Sequence, residues 1–129
     1  MTDALTQAEA TPQAHKPVHT RAVIIGTGFS GLGMAIALQK QGVDFVILEK
    51  ADDVGGTWRE NTYPGAACDI PSHLYSFSFE PKPDWKNPFS YQPEIWDYLK
   101  GVTDKHGLRR NIRFNTHVRS AGFCGRHIV

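Results

Sequence analysis

Ala22-Val23-Ile24-Ile25-Gly26-Thr27-Gly28-Phe29-Ser30-Gly31 is the stretch on which the fold turns. Its first four residues are apolar, mostly β-branched, and stop at a glycine. That is the pattern of a short strand buried on both faces. Leu32 to Gln41 then reads as a helix with little polar surface, since Met34, Ile36, Ala37 and Leu38 are all apolar, so most of it is expected to be buried. Lys40 suits the negative end of the helix dipole, and Gly42 suits a left-handed residue just beyond it. Val43 to Leu48 is a second strand, ending at Glu49. Strand, glycine turn, helix and strand make a βαβ unit with a right-handed crossover.

The G-x-G-x-x-G spacing has meaning because it lies between a strand and a helix. Gly26 permits a tight turn, Gly28 lets backbone approach a pyrophosphate, and Gly31 allows close helix–strand packing. Phe29 and Ser30 lie in the glycine loop just before the helix, whose free N–H groups face the phosphates. Glu49, at the end of the second strand, is placed to bind a ribose diol; a charged hydrogen bond of this kind contributes about 1.5–3 kcal/mol. The same carboxylate repels a 2′-phosphate, so FAD or NAD is preferred over NADP at this site. A purely structural glycine turn with a solvated Glu49 is the competing reading.

The chain has 129 residues and a formal net charge of +1, so length allows one domain and bulk charge favours neither nucleic acid nor an anionic membrane. No apolar run reaches membrane-spanning length. Cys68 and Cys124 are far apart and suit a reducing cytosol better than a disulfide framework. Residues 1–20 read as a disordered tail, and 21–129 as one nucleotide-binding domain.

From Lys50 to about Tyr91 the periodicity dissolves among prolines and glycines, yet Trp, Tyr and Phe abound. A long aromatic loop of this kind is expected to pack and to serve function. Leu74 to Phe79 is a candidate extended piece. Pro93 to His106 reads as a second helix, with proline in its first turn, Ile95, Leu99 and Val102 on one face, and Gly107 to close it. Ile112 to Val118 reads as a third strand. The fold class is therefore α/β: a Rossmann-like FAD/NAD(P)-binding fold with an incomplete parallel sheet, flanking helices and a long aromatic loop.

The loop separates FAD from NAD. A plain NAD domain continues with another helix and strand soon after the acid. Here the chain enters Gly55-Gly56-Thr57-Trp58 instead. Paired glycines let backbone run beside an extended ligand, Thr57 can donate to a phosphate or ribitol oxygen, and Trp58 can cover an aromatic ring.

These four residues, with Asn61-Thr62-Tyr63-Pro64-Gly65, Cys68-Asp69-Ile70-Pro71-Ser72, Leu74-Tyr75-Ser76-Phe77-Ser78-Phe79 and Tyr91-Gln92-Pro93-Glu94-Ile95, resemble the Baeyer–Villiger monooxygenases, class B flavoprotein monooxygenases. The resemblance covers roughly residues 20 to 120. It implies FAD as bound cofactor, NADPH as reductant, and oxygen insertion beside a ketone, or oxygenation of a heteroatom, through a flavin C4a-peroxide formed with O2. It further implies that Glu49 holds the adenosine ribose and that Gly56, Thr57 and Trp58 line the FAD path. Asp69, followed by Ile70, would sit beside the isoalloxazine as the catalytic carboxylate. Tyr75 would pack on the flavin, and Val118 would contact adenine through its backbone. From the residues alone, Asp69 can equally cap a turn before Pro71, and Trp58 and Tyr75 can be simple core.

The family carries a second glycine loop for NADPH, a histidine fingerprint and an active-site arginine, none of which has a counterpart here. Residues 121–129 also drift from the family pattern. A truncated or frame-shifted reading explains both, with NADPH's site largely missing and the chain inactive alone. A non-catalytic fragment and an NAD-binding dehydrogenase domain are the alternatives. Of the six histidines, His15 and His19 are spaced for one helical face but lie in the tail, and His73, His106, His117 and His127 show no metal spacing. The cluster Lys105, His106, Arg109, Arg110 and Arg113 reads as a helix-end charge and a solvated face rather than a nucleic-acid site.

Overall fold

A computed structural model of the chain describes residues 19–128. The tail expected over residues 1–20 lies almost wholly outside that range. The first strand, β1, spans Ala22–Ile25; the helix α1 spans Phe29–Lys40; and β2 spans Phe45–Leu48. β1 and β2 pair in parallel, from Ala22 opposite Phe45 to Ile25 opposite Leu48. A one-turn helix, α2 (Thr57–Glu60), and a 3-10 turn (Ser72–Leu74) interrupt the long loop. The next helix, α3, covers Gln92–Lys105, with Pro93 in its first turn, and Gly107 follows in the left-handed conformation (φ 62°). β3 (Ile112–Arg113) pairs in parallel with β2, so β2 is central and β1 lies at an edge of the three-stranded sheet. A hairpin of β4 (Phe123–Cys124) and β5 (His127–Ile128) ends the described residues.

The βαβ unit forms as its sequence predicts, with Gly42 at φ 66° after α1. Three expectations need correction. The strand read over Ile112–Val118 stops at Arg113 because Asn115 turns the chain at φ 52°. The turned segment still bonds to the end of β2: Asn115 N–H reaches Ala51 O and Thr116 N–H reaches Glu49 O. Leu74–Phe79 is not extended but coiled through the 3-10 turn into a bridge between Phe77 and Glu80.

Burial is the third correction. Ile24, Phe45, Ile47 and Ile112 share one core with Leu32, Ala35 and Ile36 of α1 and Ile95, Leu99 and Val102 of α3. Val23 and Ile25 alternate to the other face of β1 and stay 55% and 65% exposed, because the described residues put no layer there. On α1, Met34 and Ala37 are likewise exposed. A strand's composition thus reports that it can be covered on both sides, not that it is.

The long loop is packed, as its aromatic content predicts. Ser72 is buried and donates to Asn87 O at 2.6 Å while sharing a hydrogen bond with Ser90 Oγ at 2.7 Å. Phe29, Tyr75, Phe77 and Tyr98 form a continuous aromatic cluster, with the Phe29–Tyr75 ring centroids 4.9 Å apart.

Candidate functional site

The first wall of the site is the glycine loop. Gly26 N–H donates to Leu48 O at 2.9 Å, which ties the turn to the end of β2. Gly28 is the N-cap of α1; no side chain caps the helix among the described residues, and its first turn holds no acid. The N–H groups of that turn lack intrahelical acceptors, and the dipole adds positive potential, so this end of α1 favours an anion. Gly31 is required by contact: a Cβ there would lie 2.1 Å from Gly26 O.

The second wall comes from the loop after β2. Gly55 N–H donates to Thr27 O at 3.0 Å. Gly56, at φ 52°, brings its backbone onto Gly28: a Cβ on Gly56 would stand 3.1 Å from Gly28 Cα. The two glycine turns therefore touch backbone to backbone: a Cβ at Gly56 would press on Gly28, while one at Gly28 would stand in ordinary contact, 3.9 Å from Gly56 Cα. Together they border a cleft of about 350 Å³ lined by Ile25, Gly26, Gly28, Phe29, Ser30, Gly31, Gly55, Thr57, Trp58 and Tyr75. On its aromatic side, Trp58 Nε1–H donates to the Tyr75 hydroxyl oxygen at 3.0 Å with the rings edge to face. Burial, above all, pushes the Tyr75 hydroxyl's pKa above the ordinary tyrosine value, so it stays a donor at neutral pH.

Glu49 sits at the end of β2 but is 5% exposed and already engaged. One carboxylate oxygen accepts from both the N–H and the hydroxyl of Thr27; the other accepts from Ala51 N–H at 2.9 Å. A carboxylate has about four acceptor positions, so one remains. Thr27, fully buried, thus joins the acid to the glycine loop and, through its carbonyl, to Gly55. The motif marks Thr27 only as a spacer between glycines, and nothing in the sequence pairs its hydroxyl with Glu49.

The structure therefore gathers Gly26, Gly28, Phe29, Ser30, Gly31, Thr57, Trp58 and Tyr75 on one cleft, with Gly56 behind it. Asp69, Ile70 and Val118 are not among its lining residues. Asp69 and Ile70 are exposed, though the Asp69 charge is near enough to help raise the Tyr75 pKa; Val118 is half-buried beyond β3. A larger cavity, of about 530 Å³, is bordered by Asp52, Asp53, Arg59, Glu60, Thr62 and Trp96. Its carboxylates oppose a phosphate, and Arg59 is paired with Asp52, which holds that carboxyl below its usual range. Among the described residues no group of three metal-ligating side chains converges, and no helix is long and apolar enough to cross a membrane. The basic cluster is partly spent in ion pairs: Lys105 and His106 on Glu80, Arg109 on Asp53 and Asp104.

Residues 24–102 match the model of the NAD(P)-binding Rossmann-like domain. The chain belongs to that family. Within it, the chain is similar to a Baeyer–Villiger monooxygenase of Streptomyces coelicolor, 55% identical over 108 residues, which are 83% of this chain and 20% of that protein. Among solved structures it resembles cyclohexanone monooxygenase from Rhodococcus sp. Phi1 bound to NADP+ (46% identity, TM-score 0.75, 79% of this chain and 20% of that one). It also resembles the OTEMO protein in complex with FAD and NADP (33% identity, TM-score 0.79, 85% and 22%). The chain spans about a fifth of the length of the relatives it matches. The resemblance drawn from Gly55–Trp58 and the motifs after it is thus borne out, as is the α/β Rossmann-like fold.

The cleft of this Rossmann-like domain fits a dinucleotide's diphosphate on its own geometry. It offers an uncapped helix start without an acid in its first turn, two glycine turns packed backbone against backbone beside it, and an aromatic pair at one side.

Proposed function

We propose that residues 21–129 form the FAD-binding domain of a FAD- and NADPH-dependent monooxygenase of Baeyer–Villiger type. The observation that carries this is the second glycine turn lying on the first, with Trp58 and Tyr75 beside it. A domain that binds only a nicotinamide dinucleotide does not need that second wall. The similarity to Baeyer–Villiger monooxygenases supports the same reading.

In this reading the helix start and the turn at Gly26–Gly31 hold the diphosphate, and Gly56 and Thr57 close over it. The remaining acceptor position of Glu49 faces the adenosine ribose, and Val118 supports the adenine by its backbone. Trp58 and Tyr75 shield the flavin from water. Asp69, exposed beside Ile70 and electrostatically coupled to Tyr75, is the carboxylate offered to the reacting edge of the flavin. FAD, when bound, supplies the transfer of electrons from NADPH to O2. The whole protein would act in the cytoplasm on a small ketone or heteroatom substrate.

Titration of the chain with FAD, NAD and NADP in parallel tests this, read by flavin fluorescence and by tryptophan emission. FAD is expected to bind saturably and ahead of NADP, whose 2′-phosphate meets the Glu49 charge. Binding should be weak enough that flavin is lost on gel filtration, because the described residues wall only part of the cleft. Flavin emission unchanged at excess chain, or NADP binding tighter than FAD, would remove the reading.

A further inference from the structure

Gln92 and Trp96 stand one turn apart on α3, outside the cleft lining, and both reach the loop that carries the second glycine turn. Trp96 Nε1–H donates to Val54 O at 2.8 Å, and Gln92 Nε2–H donates to Trp58 O. These carbonyls bracket Gly55-Gly56-Thr57. The planarity of the peptide unit makes the arrangement tighter than two isolated bonds. The Val54–Gly55 peptide is gripped at both ends, its carbonyl by Trp96 and its N–H by Thr27 O. The Trp58–Arg59 peptide is gripped likewise, its carbonyl by Gln92 and its N–H by Gly56 O. The indole also fills the space that a side chain at Gly55 would need: a Cβ there would lie 2.6 Å from Trp96 Cδ1. α3 is itself fixed, since Ile95, Leu99 and Val102 are in the core. Gln92 is 6% exposed, so its carboxamide has little access to water as an alternative partner.

We propose that Gln92 and Trp96 are positioning residues: they hold the Gly55–Trp58 wall at ligand-binding distance from the glycine loop without touching the ligand. Positions i and i+4 of one helix share a face, so α3 presents both donors as a single rigid unit. The ligand named here rests on the FAD reading; the clamp itself does not.

Amide hydrogen exchange on the whole chain separates the two. Gln92→Met keeps length and loses the donor, and Trp96→Phe keeps a ring and loses the N–H. Each should speed exchange at Gly55 and Arg59 roughly tenfold, the effect of one lost hydrogen bond, while the Phe45–Leu48 amides keep the parental rate. Parental rates at Gly55 and Arg59 would overturn the proposal, as would equal acceleration in β2, which marks general loosening. Should Gln92→Met lose its helical circular dichroism, Trp96→Phe, the milder change, decides. The same variants are then titrated with FAD, where a weaker Kd than the parent's is expected. A parent that fails to quench flavin sinks the FAD reading and leaves the exchange result to judge the clamp.

Discussion

The two walls of the cleft are built in different ways. The first, Ala22 to Glu49, is held by backbone: a parallel strand pair, a helix, and glycines where contact requires them. The second, Lys50 to Tyr91, contains only a one-turn helix and a 3-10 turn, and takes its shape from side-chain bonds together with scattered main-chain ones such as Cys68 N–H to Ser90 O and Ser72 N–H to Pro88 O. Gln92, Trp96 and Tyr98 of α3 bond its main chain, Ser72 and Ser90 bond within it, and the aromatic cluster fills beneath. Regular backbone bonding makes a wall that is rigid by itself. Side-chain bonding makes one whose position depends on a distant helix.

The contrast breaks most sharply at Gly31. Gly31→Ala drives a methyl to 2.1 Å from Gly26 O, a backbone atom with nowhere to move. We expect about 3 kcal/mol or more of lost stability, measured by urea unfolding, because overpacking is felt by the whole βαβ unit.

Gly55→Ala should cost less, about 2 kcal/mol, from the left-handed backbone and the indole contact together. Its sharper feature is repairability. Combining it with Trp96→Ala should recover the part due to contact, whereas Gly31→Ala has no such partner. Strictly additive losses in the double variant would show that the second wall is no more adaptable than the first.

The smallest effect concerns Glu80, which anchors the far end of the loop. The hydrogen bond from Lys105 first, and that from His106, hold its carboxyl below the ordinary range. A lowered folded-state pKa means that ionised Glu80 stabilises the fold above the unfolded carboxylate's value, about 4.3, and that this stability is lost as pH falls through the folded value. Glu80→Gln should therefore cost about 0.5 kcal/mol or less at pH 7, given the exposed partner Lys105, and nothing once both states are protonated. A gap between parent and variant that widens toward pH 3 would contradict the assignment.

What the sequence discloses follows the same division. β1, α1, β2 and α3 are legible because burial period, glycine punctuation and helix ends are local signals. The Gly55–Trp58 motif is legible as a second glycine turn through its glycines. The bonds that shape the second wall are not legible: Gln92 reads only as part of the Tyr91–Ile95 motif before the helix and Trp96 only as a helix position, while their carbonyl partners lie 34 and 42 residues away. The extended reading of Leu74–Phe79 fails for the same reason, since Tyr98, from α3, accepts from Phe77 N–H and donates to Glu80 O and so folds the segment into a turn. The length of β3 could not be read because an asparagine can pass into a left-handed turn without a glycine to announce it.

Thr27 and Glu49 carry a consequence for anyone wishing to change the acid that follows β2. Both carboxylate oxygens of residue 49 confront main-chain N–H donors, one from Thr27 and one from Ala51. A glutamine there must aim its amide nitrogen at one or the other, whichever way it is flipped. Position 49 is therefore no independent dial. Turning it displaces the loop beside it, so position 27 has to be redesigned in the same step.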